Sequence, residues 1–302
     1  VLVTASSSMG MALVMLSVLD PGDEVIVFSP YFSLYRTQAE LAGGVCVEVP
    51  TYANEAWAID EARLRAAITP RTKAIIYSSP SNPTGAVYTR EELKALAEVF
   101  ARHPQVFIIS DEIYEHINFT PGGHTSIAEF PEVYPQTIVI NGLAKAYAMT
   151  GWRIGFIGAA PWIAKACENF QGQVTSGTNS IAQQAAIAAL NADPETMVKP
   201  MVEVFARRRQ LVLEKLAEIP GLKTDTPYGA FYVFPDISYY KGKTLRGTPI
   251  NTSDDLCLYL LSEAHVGLVA GSSFGNDNCI RLSYAASEEV LAEAIRRIKE
   301  AL

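Results

Sequence analysis

The feature that most constrains this chain is a repeated alternation. Short runs rich in β-branched residues and apolar at almost every position are separated by stretches with helical spacing. The runs are Glu24-Val25-Ile26-Val27-Phe28, Val45-Cys46-Val47-Glu48-Val49, Lys73-Ala74-Ile75-Ile76-Tyr77, Val106-Phe107-Ile108-Ile109, Thr137-Ile138-Val139-Ile140 and Ile154-Gly155-Phe156-Ile157. A strand apolar on both faces belongs to a sheet covered on both sides. Helices are expected at Met9–Leu19, Phe32–Leu41, Asp60–Ala67 and Arg90–Ala101. Thr89 is placed to cap the last of these, with Glu91 and Glu92 in its first turn. The alternation predicts an α/β fold built on a doubly wound, mostly parallel sheet.

After Phe170 the pattern changes. Helical stretches at Ile181–Leu190 and Glu195–Glu218 lead into strands at Ala230–Phe234, Val266–Val269 and Cys279–Ser283. Helices at Ser253–Ala264 and Ser287–Ala301 complete the pattern. The expected division is a large α/β domain over 1–190 and a smaller α+β domain over 191–302, joined by a long helix. A length of 302 residues suits two such units.

Charge excludes several function classes. With 24 basic and 32 acidic residues the net charge is −8, which disfavours non-specific binding to nucleic acid or anionic membrane. The longest apolar run, Met9–Leu19, is too short to span a bilayer. Cys46, Cys167, Cys257 and Cys279 form no C-x-x-C pair, and His103, His116, His124 and His265 do not cluster, so no metal site is expected. Scattered thiols and the lack of a visible leader favour the cytoplasm. The opening Val1-Leu2-Val3-Thr4 reads as a buried strand already under way, which raises the expectation of a longer natural chain.

The residues that bear chemistry gather around Gly142-Leu143-Ala144-Lys145-Ala146-Tyr147-Ala148-Met149-Thr150-Gly151-Trp152-Arg153-Ile154-Gly155, just after a buried strand. A desolvated lysine loses basicity and becomes a nucleophile towards aldehydes. Taken alone, a lysine in such a run is far more often a snorkelling surface side chain. Three further stretches flank it along the chain: Ser81-Asn82-Pro83-Thr84-Gly85 and Asp111-Glu112-Ile113-Tyr114 before it, and Asn278-Cys279-Ile280-Arg281-Leu282-Ser283 after it. Together they resemble the class I/II aminotransferases, fold-type I enzymes that use pyridoxal 5'-phosphate. The likeness is nearest to their prokaryotic aspartate aminotransferase branch, through Asn141 to Gly155.

The resemblance implies a role for each residue. Lys145 would hold the cofactor covalently and later act as acid and base, and Asp111 would pair with the pyridine nitrogen. Tyr114 and Asn82 would donate to the cofactor's phenolic oxygen, and Phe32 would lie on its ring face. Arg153, Ser7 and Ser8 would bind the phosphate, although the serines stand where the family has a glycine-rich turn. Arg281, with Asn82, would bind the substrate carboxylate. Each residue also has a plain structural reading: Asp111 and the serines as helix caps, Asn82 as turn chemistry, Phe32 as core.

The implied activity is amino transfer from an L-amino acid, aspartate first, to a 2-oxo acid such as 2-oxoglutarate in a ping-pong cycle. A broader aromatic or neutral range stays open, because Ser8 occupies the position where that branch can carry a lysine for the distal carboxylate. A C–S lyase would use the same residues, and a catalytically silent module of the same fold would keep them without turnover. No G-x-G-x-x-G follows a strand, which disfavours a nicotinamide enzyme. The resemblance also implies a homodimer with shared sites, Thr178-Asn179-Ser180 being a candidate contribution to the neighbour.

Overall fold

A computed structural model describes residues 1–302. Its first half is one seven-stranded sheet: β1 (Leu2–Thr4), β2 (Glu24–Ser29), β3 (Val45–Pro50), β4 (Thr72–Ser78), β5 (Phe107–Asp111), β6 (Thr137–Gly142) and β7 (Gly155–Gly158). Helices α1 (Ser7–Val18), α2 (Leu34–Leu41), α3 (Glu61–Ala67) and α4 (Arg90–Phe100) cross between strands. The strand order is β1-β7-β6-β5-β4-β2-β3, and β7 alone runs against its neighbours. The expected mostly parallel, doubly wound sheet is therefore present. Each of its faces has its own core, one built on α1 with Val25, Val27, Ile76 and Ile109, the other on α4 with Ile26, Ile75 and Ile108. Thr89 caps α4 through a reciprocal bond pair with Glu92.

Two expectations need correction. Val45–Pro50 has the composition of an interior strand but lies at the sheet edge, where most of its residues are exposed or half-buried. A helix also runs over Pro161–Val174, where no element was expected. Proline at its first position and a narrow buried stripe of Ile163, Cys167 and Gln171 explain it, since a surface helix needs only one apolar face.

The second half continues with α5 (that Pro161–Val174 helix), α6 (Ser180–Asn191), α7 (Pro194–Met197) and α8 (Lys199–Ala217). Then come β8 (Tyr232–Val233), the hairpin β9 (Lys243–Leu245) and β10 (Thr248–Ile250), α9 (Ser253–Glu263), β11 (Val269–Ala270), β12 (Ile280–Ser283) and α10 (Glu288–Ala301). The β9–β10 hairpin was not expected; too few apolar residues alternate there to mark it. Strands β11, β12 and β8 form a separate antiparallel sheet. Its core takes in Ile113, Tyr114 and Ile117, so the turn after β5 is packed into both halves of the molecule. No helix is long and apolar enough to cross a membrane.

Candidate active site

Parallel strands present their carboxyl ends along one edge, and a crevice there is the usual place for a ligand. Here β1 leads to Ser6–Ser8, β2 to Phe32, β4 to Asn82, β5 ends on Asp111, and β6 leads to Lys145. Arg153 reaches the same edge from the other direction because it precedes the antiparallel β7. Arg281 comes from β12, and all nine expected residues line one cavity of about 280 Å³. That volume is near the lower end of the ~300–1,000 Å³ usual for small-ligand sites.

The cavity is electrostatically divided. Asp111 is 8% exposed. Burial raises its pKa to about 6, against the opposing pull of a hydrogen bond from Tyr35 and another from the Ile113 amide. Lys145 makes no ion pair, and its amine lies 5.7 Å from the ring centre of Tyr114 and 5.6 Å from that of Phe231. Burial, and then the nearby Arg281 and Arg153 cations, lower its pKa, while Asp111 acts in the opposite direction. The two rings supply apolar surroundings, and Ala144 lines the same cavity. Leu143 and Met149 pack elsewhere, against Ala182 and Ala186 of α6.

At the other end, Ser6–Ser8 wrap the N-terminus of α1, where free amides favour an anion. The Ser6 hydroxyl accepts from the Met9 amide, and the Ser7 hydroxyl donates to the Asn141 carbonyl at 2.9 Å. This close approach depends on glycine: a Cβ on Gly155 would stand 2.4 Å from the Ser7 nitrogen. Arg153 is exposed, with its guanidinium 2.8 Å from the Thr150 carbonyl.

The turn bearing Asp111 and Tyr114 is pinned by the buried Glu112. Its Oε1 accepts from the Ser110 and Ser126 hydroxyls, and its Oε2 lies 3.0 Å from His124 Nε2. Arg281 Nη1 donates to Asn82 Oδ1 at 2.8 Å, while its buried Nε has no partner. Thr178 and Asn179 lie outside the cavity: Thr178 bonds the Val3 carbonyl and Asn179 caps α6.

Tyr35, Tyr232 and Gln38 also line the cavity and were not foreseen. Tyr35 follows Phe32 by one helical turn, a spacing that could have exposed it. Tyr232 is a strand residue with no motif around it.

The donor set can be tested against a phosphorylated pyridine aldehyde. Such a group needs an anion at its ring nitrogen, a weakly basic amine at its aldehyde and an anion-binding cradle for its phosphate. Asp111, the unpaired Lys145 and the Ser6–Ser8 cradle supply all three, so the residues fit the group.

Residues 1–298 match the family described as Aminotransferase class I and II. The sequence is 45% identical, over 100% of its length, to a bifunctional aspartate aminotransferase and glutamate/aspartate-prephenate aminotransferase of Petunia hybrida. It spans 64% of that protein's length. Among solved structures, an aspartate aminotransferase from Rhizobium meliloti superposes with a TM-score of 0.95 at 40% identity, over 99% of this chain and 75% of that one. An aromatic aminotransferase from Pyrococcus horikoshii superposes at 0.91 and 36%, over 99% and 78%.

Proposed function

The chain belongs to the class I and II aminotransferase family, and from that premise we propose that it binds pyridoxal 5'-phosphate and transfers amino groups. The donor is an L-amino acid, aspartate first, and the acceptor a 2-oxo acid such as 2-oxoglutarate. The observation that carries this reading is the unpaired Lys145 amine, sharing one cavity with the buried Asp111 carboxylate and the Arg281 guanidinium.

When bound, the cofactor supplies a reactive aldehyde and an electron-withdrawing ring. Lys145 Nζ is the amine that would hold it; when free, it would move the proton between substrate Cα and the cofactor's former aldehyde carbon, in opposite directions in the two half-reactions. Its lowered basicity favours the neutral amine, the form that attacks an aldehyde and accepts a proton. Asp111 would pair with the ring nitrogen, giving the buried carboxylate a cationic partner. Tyr114 and Asn82 would donate to the ring oxygen, and Phe32 would pack against the ring. Ser7, Ser8, the α1 N-terminus and Arg153 would hold the phosphate. Arg281 would receive the substrate carboxylate, its unpaired Nε and the adjacent Nη2 offering a side-on fork. Residues 1–190 would act as the cofactor-binding domain and 191–302 as the domain that brings Arg281.

A second donor range has its own support. The cationic side chains lining the cavity are Lys145, Arg153 and Arg281, and each already has a task. Ser8 adds no charge for a distal carboxylate, which favours aromatic or neutral donors.

The enzyme would work as a homodimer. Trp162, Val174, Ile181, Ile187 and Leu190 of α5 and α6 are each more than half exposed, apolar side chains that a second copy could cover. Sedimentation of an active monomer would refute this. Four free thiols suit a reducing, cytoplasmic setting.

The test of the central reading is spectroscopic. Mixing the protein with pyridoxal phosphate should give a visible absorption band that bleaches with aspartate as an oxo acid forms. A protein that stays colourless would overturn it.

A further inference from the structure

We propose that Tyr232 is a positioning residue with two tasks, its hydroxyl aiming the Tyr114 proton into the cavity and its ring holding the Arg281 guanidinium flat. The proposal rests on the functional reading above and deepens it.

The first task follows from proton counting. The Tyr114 and Tyr232 hydroxyls are 2.9 Å apart, and each is the other's single hydrogen-bond partner within the protein. Both side chains are nearly buried, at 3% and 6% exposure, and both line the cavity. A phenol carries one proton. If Tyr114 gives its proton to Tyr232, it has none for a ligand oxygen in the cavity. If Tyr232 donates, the Tyr114 oxygen is satisfied as an acceptor and its own proton is free to point inward. With a ring oxygen as acceptor the second arrangement holds, and the bond received from Tyr232 polarises the Tyr114 O–H and strengthens its donation to that oxygen.

The second task follows from strand register. Tyr232 on β8 pairs with Ser283 on β12, which makes Arg281 its diagonal neighbour on the same face of the sheet. The Arg281 guanidinium carbon lies 4.4 Å from the Tyr232 ring centre and 4.8 Å from that of Phe274. One hydrogen bond, to Asn82, is all that otherwise holds it. When Asn82 turns to a ligand, the two rings remain to keep the fork open towards a carboxylate.

Two variants separate the tasks in the holoenzyme. Tyr232→Phe keeps the ring and removes the hydroxyl. It should move the pH midpoint of the visible absorption band upward by about half to one unit, the worth of one hydrogen bond, and change the donor KM less than about twofold. Tyr232→Leu removes both; it should move the midpoint similarly and raise the donor KM about 3- to 30-fold, with a smaller change in kcat. Matching unfolding temperatures for Tyr232→Phe and wild type would exclude a general structural effect. An unmoved midpoint in Tyr232→Phe, or an unchanged KM in Tyr232→Leu, would overturn this proposal alone. A wild-type protein that forms no visible band overturns the functional reading and this proposal together.

Discussion

The Tyr35 hydroxyl donates a 2.6 Å hydrogen bond to Asp111 Oδ2 from a side chain that is itself 2% exposed. The same ring meets Phe32 edge to face, with centroids 5.7 Å apart. One helix start therefore orients both the carboxylate and the aromatic expected on the cofactor's face. The bond stabilises ionised Asp111 against burial. Tyr35→Phe should push the Asp111 pKa further up and weaken cofactor binding about 3- to 10-fold. Absorbance titration of the apoprotein with pyridoxal phosphate measures it, and an unchanged dissociation constant would show that Tyr35 only fills space.

Asp111 also imposes a pH-dependent cost. Its carboxyl titrates at about 6 in the folded protein, against ~4 for an unstrained aspartate. Between those values the native state binds more protons than the unfolded chain, so apoprotein stability falls as pH rises through that window and stays lower above it. Asp111→Asn removes the cost and still accepts from Tyr35. The apo variant should be about 1–3 kcal/mol more stable than wild type at pH 7, with little difference at pH 4. In the holoenzyme the substitution should lower kcat more than it raises KM, because an amide cannot balance a protonated ring. Equal stabilisation at both pH values would detach the effect from the Asp111 proton.

Lys145→Ala should leave the fold intact and lower turnover by several orders of magnitude, since one amine serves as both the cofactor's anchor and the proton carrier. Steady-state assay of the purified variant decides it. A retained rate of even a few per cent would contradict the assignment.

The Ser6–Ser8 turn can be tested without touching a polar group. A Cβ at Gly155 would stand 2.4 Å from the Ser7 nitrogen and 2.7 Å from the Ser6 carbonyl carbon, both backbone atoms. Gly155→Ala must displace the turn, at a cost of about 1–3 kcal/mol in stability and more than about tenfold in cofactor affinity. Gly151→Ala, where a Cβ meets nothing, is the control and should bind normally. Equal affinities for the two variants would separate the turn from phosphate binding.

What the sequence made legible was local. Asp111 closes a buried strand, Lys145 and Asn82 stand just past two others, and each lies in a short run that resembles a family motif. Strands β2, β4, β5 and β6 were visible because burial on both faces leaves little besides apolar residues. Tyr35 and Tyr232 escaped because their meaning lies in partners 76 and 118 residues away, Asp111 and Tyr114. Composition could not place Val45–Pro50 at the edge either, since an edge is a property of strand order.

Donor choice turns on charge at one position. Aspartate brings a second carboxylate, and burying it unpaired would cost about 2–4 kcal/mol of discrimination. Within this chain Lys145, Arg153 and Arg281 are the cations lining the cavity. Ser8 stands at the rim of the turn, its carbonyl accepting from Gln38 Nε2 at 3.0 Å, and carries no charge. Family likeness favours aspartate, which then requires a cation from outside this cavity wall, such as the neighbouring subunit. Comparing kcat/KM for aspartate, tyrosine and alanine measures the balance. Ser8→Lys should raise the aspartate-to-alanine ratio about 10- to 100-fold if the distal carboxylate lies near this turn, leaving the alanine value nearly unchanged. A ratio that stays put would place the distal carboxylate away from Ser8 and leave its recognition to other residues.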